Sequence, residues 1–201
     1  MTGSENGRRH TRDDVARTAL RILDDYGLPD LTMRRLAAAL DVQPSALYWH
    51  FPNKQSLLAE LADRIVQQTA PVHRGADHRG IRAEAAALRD ALLAYRDGAE
   101  VVSSTLALGL GSTLAQDRLA SAIIDAGFDE VSAVRAARAL LHFVLGHVSH
   151  EQQRMQYDSI GVLAPDSGDS ALEEDPGAEF AFGVDLLVTG LEVMPSRRRL
   201  A

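Results

Sequence analysis

Helix start and stop signals follow one another along the chain, and no segment alternates apolar and polar residues over the length of a strand. Thr11 and Asp14 form a capping-box pattern, after which apolar residues recur at helical spacing until Gly27. Thr32 then predicts the start of a second helix, and Pro44 suits the first position of a third. These signals predict an all-α fold.

The predicted helices form two groups, separated by a break after Pro71 where glycine and polar residues interrupt the helical pattern. We expect an N-terminal domain of residues 1–70 and a larger C-terminal domain of residues 71–201. The helices are predicted at about 12–26, 33–40, 44–50, 54–69, 81–96, 99–110, 113–126, 129–156 and 178–194.

The composition excludes several classes of protein. The chain has 201 residues, of which 46% are hydrophobic, and it contains no cysteine, so a disulfide framework, a thiolate metal site and a cysteine nucleophile are excluded. Its first residues are polar, and no uninterrupted run of about 18 apolar residues is present. We therefore expect a soluble, cytoplasmic protein without a membrane partner.

The net charge of -7 by itself argues against a nucleic-acid partner, because phosphate binding depends on lysine and arginine. The charge is unevenly distributed, however. Residues 1–54 carry eight basic and seven acidic side chains, so the excess acid lies in the rest of the chain. The N-terminal segment is therefore compatible with DNA binding.

Two short helices joined by a four-residue turn, with a longer helix on each side, are typical of a helix-turn-helix DNA-binding domain. Residues 44–50 form the predicted reading helix. Its two aromatic residues, Tyr48 and Trp49, either contact DNA sugars and phosphates or pack on the first or fourth helix. The residues predicted to be buried are Leu36, Ala37, Leu40, Val42 and Leu47, and those predicted to face outward are Pro44, Ser45, Tyr48, Trp49 and His50.

Two segments of this domain, LTMRRLA at 31–37 and LYWHFxNKxxL at 47–57, resemble the signature of the tetracycline-repressor (TetR) family. Further segments resemble the regulatory domain of the tetracycline-repressor branch: ALLxYRDGA at 91–99, HFxLG at 142–146 and GLEV at 190–193. The resemblance implies an N-terminal three-helix helix-turn-helix domain and a larger helical domain for ligand binding and dimerisation. It also implies a repressor that a small-molecule inducer releases from a palindromic double-stranded DNA operator.

The same resemblance implies roles for residues of the helix-turn-helix domain, which we call the head. Arg34 corresponds to an arginine that reaches a base edge, and Lys54 to a contact with the DNA backbone. The chain departs from the branch at Met33 and at residues 44–46, so we expect a different operator sequence. The predicted DNA-contacting residues are Thr32, Arg34, Ser45, Tyr48, Trp49, His50 and Lys54. The residues that form either a minor-groove arm or a solvated terminus are Arg8, Arg9 and Arg12.

In the branch that the chain resembles, a drug and its magnesium ion are held by residues that this chain does not match. The corresponding residues here are Glu84, Leu88, Val102, Leu106 and Ala107. We therefore predict a hydrophobic or amphipathic inducer, with no magnesium or other cofactor, and expect the helix that begins near Ala99 to transmit its binding to the head. The predicted ligand-binding residues are Leu88, Val102, Leu106, Leu110, His147, His150 and Glu151.

Three polar residues, His147, His150 and Glu151, share one face of a predicted helix, where they either orient a ligand or form ordinary hydrogen bonds in the core. Three such residues without a fourth do not make a zinc site, so no metal is predicted. The HVSHE segment lacks the histidine spacing of a zinc protease, and neither a glycine-rich phosphate loop nor a nucleophile elbow is present. The sequence therefore favours a protein that is not an enzyme.

The helices predicted at about 129–156 and 178–194 carry apolar residues on more of their surface than the single stripe that faces a core. This pattern favours a homodimer built from two helices of each subunit. Gly183 and Gly190, seven residues apart, permit close helix approach on one face. A large monomeric core is the alternative. The acidic loop predicted at about 158–177 either covers the partner's pocket or is disordered. A ligand-binding dimer that activates transcription, or that lacks operator-specific DNA binding, is the alternative function.

Overall fold

The computed structural model describes residues 10–71, 78–111, 113–159, 161 and 175–193, and within these ranges all regular secondary structure is helical. The predicted all-α fold is therefore confirmed. The helices are α1 (Arg12–Tyr26), α2 (Met33–Ala39), α3 (Pro44–Leu47), α4 (Lys54–Gln67), α5 (His78–Leu93), α6 (Gly98–Ala107), α7 (Leu114–Asp125), α8 (Glu130–Ser159) and α9 (Pro176–Val193).

Side-chain caps fix the starts of the N-terminal helices where the sequence predicted them. The Thr11 hydroxyl accepts a hydrogen bond from the Asp14 amide at 3.1 Å, and the Asp14 carboxylate accepts one from the Thr11 amide at 2.9 Å. The Thr32 hydroxyl accepts from the Arg35 amide at 3.1 Å and so caps α2. These bonds satisfy amides that have no partner within the first turn of a helix.

The third helix is shorter than predicted, because α3 ends at Leu47 and residues 48–50 form a turn. The Leu47 carbonyl accepts hydrogen bonds from the amides of His50 and Phe51, both at 2.9 Å. This turn buries the Phe51 ring completely, immediately before Pro52. The residues predicted to be buried are indeed buried, with the exception of Val42, which is half-buried.

Helix α4 joins the head, formed by α1 to α3, to the rest of the molecule. It packs against α1 on one side and against α5 and α6 on the other. Leu57 and Leu61, near its start and middle, and Ile65, near its end, are all buried. A displacement of α4 relative to α5 and α6 therefore changes the position of the head.

The larger group of helices packs around α8, which contacts α5, α6, α7 and α9. Gly183 of α9 lies against the Phe143 ring of α8, so closely that a Cβ atom at this position would overlap the ring. The ring also stacks on Phe180, with 5.8 Å between centroids. The close approach at Gly183 is thus made within one chain, whereas a Cβ atom at Gly190 would meet nothing within 4 Å.

The outer surface of α8 and α9 is unusually apolar. Phe182, Leu186 and Val193 of α9 are 66%, 60% and 80% exposed, and Val131 of α8 is 61% exposed. In the described part of the chain, α8 is the one helix that is long and apolar enough to cross a membrane by length and composition, and 39% of its most apolar window is buried in the molecule. Its buried face packs on α5, α6 and α7, as expected for a core helix of a globular protein.

The predicted acidic loop at 158–177 lies mostly outside the described residues, as do Arg8 and Arg9. At its two ends, Asp158 and Ser159 belong to the last turn of α8, and α9 begins at Pro176.

Candidate DNA-reading head and ligand cavity

The predicted DNA-contacting residues lie at the start of α2, in α3 and the turn after it, and at the start of α4. Trp49 is 90% exposed and Tyr48 is 49% exposed, so Trp49 does not pack on α1 or α4. A tryptophan this exposed makes little packing contact within its own chain. Its apolar face and its indole N–H group are therefore available to a partner. Ser45 is also exposed, and His50 is half-buried.

The two neighbouring arginines of α2 differ in their surroundings. Arg35 forms an ion pair with Asp30 and lies over the Tyr26 ring, with its guanidinium carbon 3.8 Å from the centroid. Arg34 is exposed and has no hydrogen-bond or charged partner among the described residues. Arg34 is therefore the arginine that the fold presents outward, while Thr32 is engaged as the cap of α2.

A charged network braces the head behind this surface. Arg12 donates to Glu60 at 2.8 Å and to the His50 carbonyl at 3.1 Å, and it lies over the Phe51 ring. Arg12 is therefore a structural part of the head rather than part of a basic arm. Partial burial alone would raise the pKa of Glu60, but hydrogen bonds from Arg12 and Arg64 outweigh it and lower that pKa.

Lys54 is the first residue of α4, where Asn53 and Ser56 form a capping box. The Asn53 side chain accepts from the Ser56 amide at 2.7 Å. This cap sets the direction of the first turn and hence the starting point of the Lys54 side chain, which is half-buried.

The opposite end of α4 is held by a buried arginine that the sequence analysis did not single out. Arg118 of α7 is 7% exposed and forms an ion pair with Glu84 of α5, which is 2% exposed. The same guanidinium donates to the carbonyls of Val66 at 2.7 Å and Thr69 at 2.8 Å. One side chain thus joins α5, α7 and the last turn of α4.

A second contact ties the head to the turn between α5 and α6. Asp97 adopts a left-handed conformation with φ of 57°, and its carboxylate accepts from the Leu28 amide of the head at 2.7 Å. Behind it, the buried Gln152 amide of α8 donates to the carbonyls of Leu92 at 3.0 Å and Tyr95 at 2.8 Å. The turn is therefore fixed by α8 and, at the same time, in contact with the segment that follows α1.

The residues predicted to bind a ligand are separated by the fold. Leu106 and Leu110 line an open cavity of about 400 Å³ between the end of α6, α7 and α8. Leu88 and Val102, in contrast, are 2% and 3% exposed, lie in the core and do not line this cavity. Both residues lie on the helix faces that pack in the interior. Apolar periodicity alone does not show whether such a face contacts packed side chains or lines a cavity.

The three polar residues predicted on α8 also do not converge. Glu151 accepts hydrogen bonds from Arg89 at 2.6 and 3.1 Å, and His147 contacts the Pro176 carbonyl at 3.2 Å. His150 is exposed. Among the described residues, no group of three histidines and acidic side chains is placed to hold a metal ion. Glu151 and His147 thus make contacts between helices of the chain.

A larger groove of about 1050 Å³ lies between α1 and α4, next to Tyr95. Its walls carry charges of both signs, including Asp14, Arg17 and Arg64, and these pair with residues of the head. Such a lining does not favour an apolar ligand. The smaller cavity beside Leu106 is therefore the better candidate.

Four residues of these contacts and of the cavity were not predicted from the sequence, namely Arg118, Asp97, Gln152 and Arg138, and Glu84 was predicted only as a position that corresponds to a ligand contact. A signal was available for the buried pair. Glu84 shares its helical phase with the apolar residues Ile81 and Leu88, and Arg118 precedes the buried Leu119. A charged residue at a helix position that faces the core needs a buried partner, and each of these two residues is such a partner for the other.

Comparison with known proteins identifies the family. Residues 16–61 match the family described as bacterial regulatory proteins, tetR family, and residues 78–195 match the tetracyclin repressor-like C-terminal domain. The class C tetracycline repressor protein of Escherichia coli is 36% identical over 200 residues, with 91% of each chain covered.

Solved structures agree with this assignment. The crystal structure of BioQ from Mycobacterium smegmatis matches with a TM-score of 0.78 and 42% identity, covering 90% of this chain and 97% of that one. A BioQ structure with its double-stranded DNA operator matches with a TM-score of 0.75 and 39% identity, covering 92% and 99%. The chain therefore belongs to the tetR family of bacterial regulatory proteins.

Proposed function

We propose that the protein is a cytoplasmic transcriptional repressor that binds a palindromic DNA operator as a homodimer and is released by a small molecule. The observation that carries this proposal is that Tyr48, Trp49 and Arg34 are all exposed on a head of the same fold as BioQ bound to its operator. The protein acts by binding rather than by catalysis.

In this proposal the head divides its contacts between bases and the DNA backbone. Arg34, which has no protein partner among the described residues, donates to a base edge in the major groove. Tyr48 and Trp49 pack on deoxyribose, and Lys54, at the start of α4, binds a phosphate. Ser45 lies in α3, His50 lies in the turn that follows it and Thr32 caps α2, so all three support the register of the reading surface.

The apolar outer surface of α8 and α9 supplies the homodimer interface. Phe182, Leu186 and Val193 form a row of exposed large side chains that a second copy covers by two-fold symmetry. Gly146 and Gly190 have open space at the Cβ position, which permits close approach of the partner's helices. Two heads held in this way meet half-sites about one helical turn of DNA apart.

Ligand binding reaches the head through α4 and α6. The loop after α6 forms one wall of the cavity, and its Gly111 lies against Ala59 of α4, with 3.4 Å between the position of an added Cβ atom and the Ala59 Cβ. At the other end of α6, Asp97 contacts Leu28 of the head. A ligand that moves this loop therefore shifts α4, and with it the separation of the two heads.

A mobility-shift assay with DNA from upstream of the protein's own coding sequence tests the proposal. We expect a shift by the free protein at low salt. Arg34→Ala is expected to weaken binding to this DNA about 5- to 150-fold and to random DNA much less, whereas Lys54→Ala weakens both similarly. Ser121→Ala, on the exposed surface of α7 and away from the head and the proposed dimer surface, is the control and should bind as the unaltered protein does.

The outcomes separate the roles. Absence of any shift at low salt contradicts the repressor function. Equal losses for Arg34→Ala and Lys54→Ala, on both DNAs, contradict the assignment of base and backbone contacts but leave DNA binding itself intact.

A further inference from the structure

The cavity beside Leu106 is polarised: one part of its lining is apolar and another carries groups that bind anions. Leu106 and Leu110, from α6 and the loop after it, face Leu141 and Leu145 of α8. The volume of about 400 Å³ lies within the range of small-molecule sites, roughly 300–1,000 Å³. The ligand that fits therefore has an apolar body.

The polar part of the lining has one sign of charge. Arg138 and His142 are four residues apart and hence on the same face of α8, and both line the cavity. None of the lining residues carries a carboxylate. This is notable in a chain whose net charge is -7, where acidic side chains outnumber basic ones.

The guanidinium of Arg138 has no ion-pair or hydrogen-bond partner among the described residues, and the same holds for the His142 ring. Asp117, beside Gln116 of the lining, accepts a hydrogen bond from the Thr113 hydroxyl at 2.6 Å and does not itself line the cavity. Charge-assisted hydrogen bonds from arginine to a carboxylate are roughly twice as strong as neutral ones. The unused donors thus favour an anionic group at this end.

We propose that the inducer is an amphipathic organic anion, with its carboxylate bound by Arg138 and His142 and its apolar part bound by Leu106, Leu110, Leu141 and Leu145. The inference rests on the proposed function for its regulatory meaning, but the binding site is defined by the cavity alone. Gln116 and Ser103, which also line it, donate hydrogen bonds to further oxygen atoms of the ligand.

Three probes of equal chain length and different charge test the proposal: octanoate, 1-octanol and n-octylammonium. Calorimetry with the full chain at about 100 mM salt should give binding of octanoate about five- to tenfold tighter than that of octanol, with octylammonium weakest. This factor is modest because Arg138 is exposed to solvent.

The variants assign the effect to the cavity. Arg138→Gln should remove most of the preference for octanoate while changing octanol binding by less than about twofold, and His142→Gln should reduce the preference further when the two are combined. Arg135→Gln, one turn earlier on α8 and outside the lining, is the matched control and should retain the preference.

Octanoate binding no tighter than octanol overturns the proposal, as does failure of all three probes at millimolar concentration. An equal loss in Arg138→Gln and Arg135→Gln overturns the assignment to this cavity. The mobility shift of the ligand-free protein is measured in parallel. A shift without charge-selective binding rejects the anion alone, whereas charge-selective binding without any shift rejects the repressor function and leaves the anion site standing.

Discussion

Replacing Arg118 with methionine is expected to destabilise the protein more than almost any other single substitution outside the apolar core. The methionine fills a similar volume but leaves the Glu84 carboxylate, 2% exposed, without its guanidinium partner. It also removes the donor to the carbonyls of Val66 and Thr69 at the end of α4.

The magnitude follows from these contacts. Removing one partner of a buried ion pair costs about 3–5 kcal/mol, since the remaining buried carboxylate loses the guanidinium that balances its charge. Water replaces part of the lost bonding at the end of α4, because Thr69 is half-buried and Ala70 is exposed. For a chain of this size, about 3–5 kcal/mol corresponds to a fall in melting temperature of roughly 6–20 °C.

Urea unfolding followed by circular dichroism, at fixed protein concentration, measures the loss. The double variant with Glu84→Met and Arg118→Met removes both charges, and we expect it to recover at least about 1.5 kcal/mol of the loss. A cost below about 1 kcal/mol for Arg118→Met, or a double variant no more stable than the single one, would refute the reasoning that a buried charge pair clamps α4.

Three further predictions follow from contacts in other parts of the molecule. Gly183→Ala should destabilise the packing of α9 by about 1–3 kcal/mol, because the new methyl group overlaps the Phe143 ring; thermal unfolding at fixed protein concentration measures the loss. Glu60→Gln should cost less than about 1 kcal/mol at pH 7 in urea unfolding. The difference should begin to shrink as the pH falls below the ordinary carboxyl value of 4.5 and be lost as the pH falls through the lowered pKa of folded Glu60, since both states are then protonated. Trp49→Ala should leave the melting temperature within about 2 °C, because the side chain is 90% exposed, but weaken operator binding in the mobility-shift assay; a large loss of stability would contradict its role as an outward DNA contact.

Much of the head was predictable because its signals are local. The capping box at Thr11 and the cap at Thr32 involve residues three positions apart, and both form as predicted. The boundary of α3 was predicted less well, since the burial of Phe51 ends the helix at Leu47, and that burial depends on packing against other helices.

The residues that line the cavity, in contrast to the caps of the head, could not be identified from local signals in the sequence. Apolar periodicity identified Leu88, Val102, Leu106 and Leu110 as one inward-facing set, but it contains no information on where the packed interior ends and a cavity begins. That distinction depends on the distance between helices far apart in the chain. The same is true of Arg138, whose meaning is clear only once α6 and α7 are known to complete the cavity around it.

The sequence by itself therefore determined the helical fold, the reading head and the family, because caps, turns and helical phase are set by residues close together in the chain. The tertiary structure alone decided which charges are buried, which of them are paired and which apolar residues face empty space. These properties depend on the environment that distant helices create around each side chain. In that environment Arg118 becomes a clamp on α4, and Arg138 becomes a donor in a cavity with no partner in the described part of the chain.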